Sequence, residues 1–105
     1  MNVLVDNPMA VIYKNIKTKL TTEKAEVRIY DKVTHVDIAP LNIQPTNLLK
    51  DITFGEIIRY EIKDKQLIAK ISAQISPASF IGEIVIVYEY RDKMYQTKSV
   101  SFQAY

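Results

Sequence analysis

The sequence predicts an all-β domain, an antiparallel two-sheet sandwich of about seven strands. Three observations carry that prediction. The dominant hydrophobic period is two rather than 3.6, most clearly in Leu67, Ala69, Ile71, Ala73 and Ile75, with Lys70, Ser72 and Gln74 between them. Polar or proline-bearing breaks recur about every 8–12 residues. A content of 48% hydrophobic and 25% charged residues suits a chain that buries one core, and 105 residues suffice for a single domain spanning 1–105.

Taken in order, Val3 and Val5 open a short strand that ends at Asn7-Pro8. Ala10 and Ile12 are expected to continue in extended form towards Ile16 and Leu20. A helix over 13–24 competes, because Ile16 and Leu20 are four apart, but Thr18, Thr21 and Thr22 weigh against it. Ala25, Val27 and Ile29 alternate with Glu26, Arg28 and Tyr30, so one face is apolar and the other wet. Val36 and Ile38 resume the alternation, with His35 and Asp37 outward, until Pro40 stops the strand. The stretch 41–51 reads as a connection, in which Thr46 caps a short helical turn through Asn47, Leu48, Leu49 and Lys50.

From Ile52 the alternation sharpens. Phe54, Ile58, Tyr60 and Ile62 share an apolar face, with Glu56 as the exception. This run and 67–75 form a hairpin across Lys63-Asp64-Lys65. After the break Ser76-Pro77-Ala78-Ser79, residues Ile84, Ile86, Tyr88 and Tyr90 face one way, and Val85, Val87 and Glu89 the other. This strand is therefore expected in mid-sheet, covered on both sides near 85–87. Arg91-Asp92-Lys93 turns the chain into a last strand, 95–105, with Val100 and Phe102 as its core contacts. An Asp-Lys pair marks three breaks, at 31–32, 64–65 and 92–93, which reads as one hairpin solution used three times. Seven strands with such turns match the arithmetic of an immunoglobulin-like or fibronectin-type sandwich, although Cys and Trp are both absent. A five-stranded oligonucleotide-binding barrel is the competing architecture.

Composition excludes several chemistries. Without cysteine there is no disulfide framework, thiolate metal site or Cys nucleophile. One histidine, His35, excludes a site needing two imidazoles, and two glycines exclude a phosphate-binding glycine loop. The net charge of +2 is evenly spread, since residues 1–52 and 53–105 each carry seven basic and six acidic side chains. Lys14, Lys17, Lys19, Lys24 and Arg28 come nearest to a basic stripe, but Glu23 and Glu26 interrupt it. That run reads as a solvated face or a lysine-protected edge, and nucleic acid is not the expected partner. No run of about 18 apolar residues spans a membrane, and Met1–Val5 is too short for the apolar core of a signal peptide.

Few residues suggest a site, and no cofactor is expected. His35 and Asp37 share a face and read either as a weak metal pair or as a plain surface pair. Glu56 is expected at a rim or paired with Arg59 or a lysine. No serine sits in a Gly-x-Ser-x-Gly elbow. The tyrosines carry more information: Tyr90, Arg91, Met94 and Tyr95 flank one turn and read as a protein-contact patch. The structural alternative is a hairpin whose tyrosines cover the core rim and pair across strands.

The second half, "QISPASFIGEIVIVYEYRDKMYQTKSVSF", resembles the closing half of immunoglobulin-like domains in archaeal surface and secreted proteins, including CARDB-like adhesion modules. The resemblance covers about residues 52–103 and rests on Pro77, Gly82, Tyr88 or Tyr90, and Asp92. It departs over 24–38, which lacks the Asn-Gly-like signature common after the early strand. It implies a non-catalytic module of a surface-associated or secreted assembly of filament, stator or adhesion type. Such a module acts through sheet edges and loops, on a protein partner or on itself. The segments 3–19 and 95–102 are the expected edges. Two other readings stay open: an adaptor-like accessory subunit inside the cell, and a small single-strand nucleic-acid-binding barrel.

Overall fold

The computed structural model describes residues 4–5 and 7–105. Among these residues eight strands form two sheets. Strands β1 (Leu4–Val5), β5 (Thr53–Lys63), β6 (Gln66–Ser76), β7 (Ser79–Arg91) and β8 (Met94–Ala104) make the larger sheet, in the order β1-β8-β7-β6-β5. Strands β2 (Ile16–Leu20), β3 (Lys24–Ile29) and β4 (Lys32–Asp37) make the smaller, in sequential order. All pairings are antiparallel except β1 with β8. The molecule is an all-β two-sheet sandwich, as the period-two pattern predicts. β1 apart, each sheet is a meander of consecutive hairpins. An immunoglobulin domain interleaves its strands between sheets, whereas here the chain crosses from small sheet to large once, through 38–52.

The first segment departs from expectation. Val3 lies outside the described residues, and Ala10 and Ile12 are helical rather than extended. Helix α1 runs Pro8–Asn15. The Asn7 side chain accepts hydrogen bonds from the backbone N–H of Met9 and Ala10, and Pro8 fills the first turn, where its missing N–H costs nothing. Asn7-Pro8 thus starts a helix as well as ending a strand. The helix buries Val11 and Ile12. The threonine argument holds one residue after it ends, since β2 begins at Ile16.

Core residues follow the alternation. Ala25, Val27 and Ile29 of β3 are buried, as are Ala69, Ile71, Ala73 and Ile75 of β6 and Ile84, Ile86 and Tyr88 of β7. With Ile12, Ile38, Ile52, Ile81 and Val100 they form one contiguous cluster, and Phe102 packs half-buried against it. β7 is central, as expected, but Val85 and Val87 are only half-buried, because no described layer covers the outer face of the large sheet.

Turn chemistry is shared by two hairpins, not three. Asp64-Lys65 and Asp92-Lys93 each supply both central residues, all four at positive φ, and Lys63 pairs with Gln66 and Arg91 with Met94. These are two-residue turns whose twist matches the strands. At the third break the register shifts by one: Ile29 pairs with Lys32, and Tyr30 carries the positive φ. The connection 38–52 also differs from expectation. Its second 3₁₀ turn is Pro45–Asn47, with no side-chain cap, so Thr46 lies within the turn rather than at its start. Leu48, just after that turn, packs against the core cluster.

Candidate interaction surface

The two sheets differ in length, and the difference creates the surface. Strands of the small sheet have five or six residues. Those of the large sheet, β1 apart, have eleven to thirteen. At about 3.3 Å per residue the long hairpins overhang the short sheet. The residues that run past the cover lie beside the Asp64-Lys65 and Asp92-Lys93 turns.

Register fixes which side chains are left uncovered. Ile58 lies opposite Ile71, Tyr60 opposite Ala69 and Ile62 opposite Leu67, so all three share the inner, core-facing side of the sheet. Ile71 and Ala69 are fully buried, yet Ile58, Tyr60 and Ile62 are 38%, 54% and 76% exposed. On β7, Tyr88 is buried while Tyr90, two residues on along the same face, is 60% exposed. Sequence reading assigns Phe54, Ile58, Tyr60 and Ile62 to a shared apolar face. They do share it, but only Phe54 packs against the core cluster. The rest form an apolar shelf.

β5 is also an edge strand. Its residues from Glu56 to Lys63 are all exposed, and no described strand pairs with its free side. The expected edges were 3–19 and 95–102. Within the first, β2 is an edge of the small sheet, with Lys17 and Lys19 among its side chains. Within the second, β1 pairs with Tyr95 alone, and from residue 96 to 102 β8 is a free edge among the described residues, as expected. β5 is the free edge that also bears an exposed apolar face, and sequence reading placed it in the hairpin but did not single it out.

A bulge sets where the regular part of β5 begins. Phe54 pairs with Ala73 and Ile58 with Ile71, so Gly55, Glu56 and Ile57 together face Ser72. Gly55 takes φ +99°, which a side chain would strain. The buried Ser72 hydroxyl accepts a hydrogen bond from the Ile57 N–H at 2.9 Å, replacing the interrupted ladder. Glu56 is exposed on this bulge, a rim position, and it is not the partner of Arg59. Arg59 reaches across the outer face instead, with Nη2 3.0 Å from Glu83 Oε2, and Lys70 Nζ lies 3.3 Å from Glu61 Oε2. Glu83 is the one buried acidic residue among those described, and this ion pair compensates its charge.

Tyr90, Arg91, Met94 and Tyr95 come together at the tip of β7–β8. The Tyr90 and Tyr95 rings meet edge to face, with centroids 5.3 Å apart, as a directly opposed cross-strand pair. Arg91 is held locally. Its Nη1 lies 3.5 Å from Glu89 Oε1, and its carbonyl accepts a hydrogen bond from Gln96 Nε2. Met94 and Tyr95 are half-buried, and Tyr95 packs against the core cluster. Tyr90 is thus the member that joins the exposed shelf.

The other candidates are reassigned or quiet. His35 does not pair with Asp37. Its Nε2 lies 2.9 Å from Oε1 of Glu26, the residue directly opposite on β3. That hydrogen bond, then the nearby His35, Lys19 and Lys24 charges, hold the Glu26 carboxyl below its ordinary value, against a smaller opposing effect of burial. Among the described residues no three His, Cys, Asp or Glu side chains are placed to hold a metal ion. No helix among them is long and apolar enough to cross a membrane. A groove of about 370 Å³ opens where the β3–β4 turn meets β8, lined by Ile29, Tyr30, Thr34, Val100 and Phe102, with Asp31 and Lys32 as its charged groups. No protein-family model, curated protein or solved structure matches the chain.

Proposed function

We propose that the chain is a non-catalytic interaction module that binds a protein through the β5 edge and the adjoining shelf. The observation that carries this reading is the exposure of Ile58, Tyr60 and Ile62 on an unpaired edge strand. An open edge presents a row of backbone donors and acceptors, and natural proteins usually blunt one with charge, a proline or a cover. Here charges occupy the outer face alone, at Arg59, Glu61 and Lys63, while the inner face is apolar. An added strand would satisfy the backbone and bury the shelf together. Tyr90 and Arg91, at the tip of the neighbouring hairpin, extend the contact, with Met94 and Tyr95 supporting them. The module belongs to a surface-associated or secreted assembly of the kind its second half resembles.

The nucleic-acid reading finds less support. Tyr60 and Tyr90 offer rings for stacking, but the charges along β5 alternate in sign and form no basic groove.

Site-specific photo-crosslinking in the cell that makes the protein tests the reading. A crosslinking residue at position 60 or 62 is expected to give adducts of discrete mass. The same residue at Ser99 or Ser101, exposed on β8, is expected to give none. Equal labelling at both places, or none at either, removes β5 as the contact surface.

A further inference from the structure

We propose that the partner of the β5 edge is a second copy of the same chain, with the two β5 strands antiparallel and centred on Tyr60. This rests on the reading of β5 as the contact surface and names what occupies it.

Hydrogen-bonding parity comes first. In a two-residue hairpin the pair that closes the turn exchanges backbone hydrogen bonds. Lys63 and Gln66 are that pair. Lys63, Glu61 and Arg59 therefore direct their N–H and C=O groups at β6. Ile62, Tyr60 and Ile58 direct theirs at the free edge. A second β5 strand must place these even-numbered residues opposite one another.

Length gives the register. The regular part of β5 is bounded by the bulge at Gly55–Ile57 on one side and by the Asp64-Lys65 turn on the other. Residue 60 is the midpoint of 57–63. Centring the two-fold axis there lays the whole regular segment against its copy. Ile58 then faces the second copy's Ile62, and Tyr60 faces its own counterpart. Three facing pairs exchange about six backbone hydrogen bonds.

Charge selects the same register independently. With the axis at Tyr60, Arg59 lies opposite the second copy's Glu61, and Glu61 opposite its Arg59. Moving the axis to residue 59 sets Arg59 against Arg59. Moving it to residue 61 sets Glu61 against Glu61 and Arg59 against Lys63. Both shifts put like charges directly opposite, which is destabilising. Shifts by a single position oppose even residues to odd ones and lose the hydrogen bonds. Backbone parity, available length and side-chain charge thus agree on one register. The inner faces of both copies then lie on the same side, and Ile58, Tyr60 and Ile62 form one apolar strip with their counterparts.

Seven residues per copy fall short of the roughly 20–30 a side of a standard interface. Association in the micromolar range is therefore expected. Sedimentation equilibrium from about 1 to 500 μM spans that range. The wild-type protein is expected to pass from monomer to dimer. Glu61→Lys and Arg59→Glu each make two like-charge contacts in a homodimer and should weaken it roughly tenfold or more. An equimolar mixture of the two restores both opposite-charge contacts and should form a heterodimer. Arg59→Glu also sets a carboxylate beside Glu83, so a second variant guards against loss of fold. Tyr60→Pro removes an N–H that β6 does not use, and should abolish the dimer while leaving the circular dichroism spectrum unchanged. Amide exchange adds a signature. Raising the concentration should protect the N–H groups of Ile58, Tyr60 and Ile62 selectively, over an already protected Arg59 and Glu61.

A wild-type monomer at the highest concentration overturns the proposal. So does a dimer indifferent to Tyr60→Pro, or a mixture no tighter than its parents. If the protein is monomeric while position 62 crosslinks to a different protein, self-pairing falls and the contact surface stands. If both tests are negative, both readings fall.

Discussion

Replacing Gly82 with alanine should cost this domain a large part of its stability. A Cβ at residue 82 would sit 2.4 Å from the carbonyl oxygen of Gln103, 2.8 Å from Cζ of Phe102 and 2.9 Å from Cα of Ala104. Two of these neighbours are backbone atoms of β8, the strand hydrogen-bonded to β7, and Gly82 lies directly opposite Ala104. Comfortable separation is about 3.5 Å or more, so β8 would have to move by about 1 Å. A shift of that size stretches the adjoining ladder bonds, each worth about 1 kcal/mol net. It also disturbs the Phe102 ring, which packs against the core. Overpacking of this kind costs about 1–3 kcal/mol, and a lost ladder bond brings the total to about 3 kcal/mol. Domains of this size have about 5–15 kcal/mol in all. The melting temperature should fall by about 15 °C, and the urea midpoint should fall at an unchanged slope. Amide exchange should locate the damage at Gln103–Tyr105, where the Tyr105 N–H now bonds the Ile81 carbonyl at 3.1 Å. If Gly82→Ala unfolds within about 0.5 kcal/mol of the parent, a range typical of neutral surface changes, the close approach of β8 to residue 82 is wrong.

Three further outcomes follow from local geometry. Lys65→Gly and Lys93→Gly should each stabilise by about 0.5–1 kcal/mol in urea unfolding, because both residues sit at positive φ in two-residue turns that favour glycine. Asn7→Ala removes the acceptor for the Met9 and Ala10 N–H groups and should cost about 1 kcal/mol, read as faster amide exchange at the start of α1. Glu26 should titrate below its ordinary value of 4.5 in an NMR experiment, and its value should rise in His35→Ala relative to wild type, since the His35 hydrogen bond is the main cause of the lowering. A carboxyl whose folded value is depressed adds stability that is complete above the unfolded value and is lost as pH falls through the folded one. Wild type should therefore lose this small contribution below about pH 4.5, and Glu26→Gln should flatten that part of the stability profile.

Alternation reported well wherever one face was buried and the other wet. Ala25, Val27 and Ile29, and the run from Leu67 to Ile75, lie where period two puts them. It failed at Ala10 and Ile12, because a single turn of apolar residues after Asn7-Pro8 fits either period, and there the cap decides. It also could not separate core from shelf. Ile62 and Ile71 carry the same chemistry and the same spacing signal, yet one is 76% exposed and the other fully buried. What distinguishes them is the length of the opposite sheet, a property of residues 16–37 rather than of the strand that bears them. The pairing of His35 with Glu26 was hidden for a similar reason. Two residues nine apart meet only because the β3–β4 turn uses Tyr30-Asp31, one position earlier than the Asp-Lys pattern suggests.

The mismatch in length also bears on why an open apolar edge is tolerated in this sheet and not in the other. A strand buried on one face gains register from its core contacts. Past residue 58, β5 lacks those contacts, and the hairpin is held by its ladder to β6, by the Lys70–Glu61 and Arg59–Glu83 pairs and by its turn. The Lys70–Glu61 pair is partly exposed and worth little, so the overhang past Arg59 is where local opening should be cheapest. A surface evolved only for solubility would place charge on both faces of such a segment. β5 instead confines Arg59, Glu61 and Lys63 to the outer face, and keeps Ile58, Tyr60 and Ile62 on the inner. The small sheet divides its faces in the same way, with Lys17, Lys19, Lys24 and Arg28 outward and Ala25, Val27 and Ile29 inward, but there the inward face is buried in the core. Within one chain, then, the same division of faces meets a core at the short strands and is left without cover along the overhanging part of β5, which is the pattern of a strand that expects a neighbour.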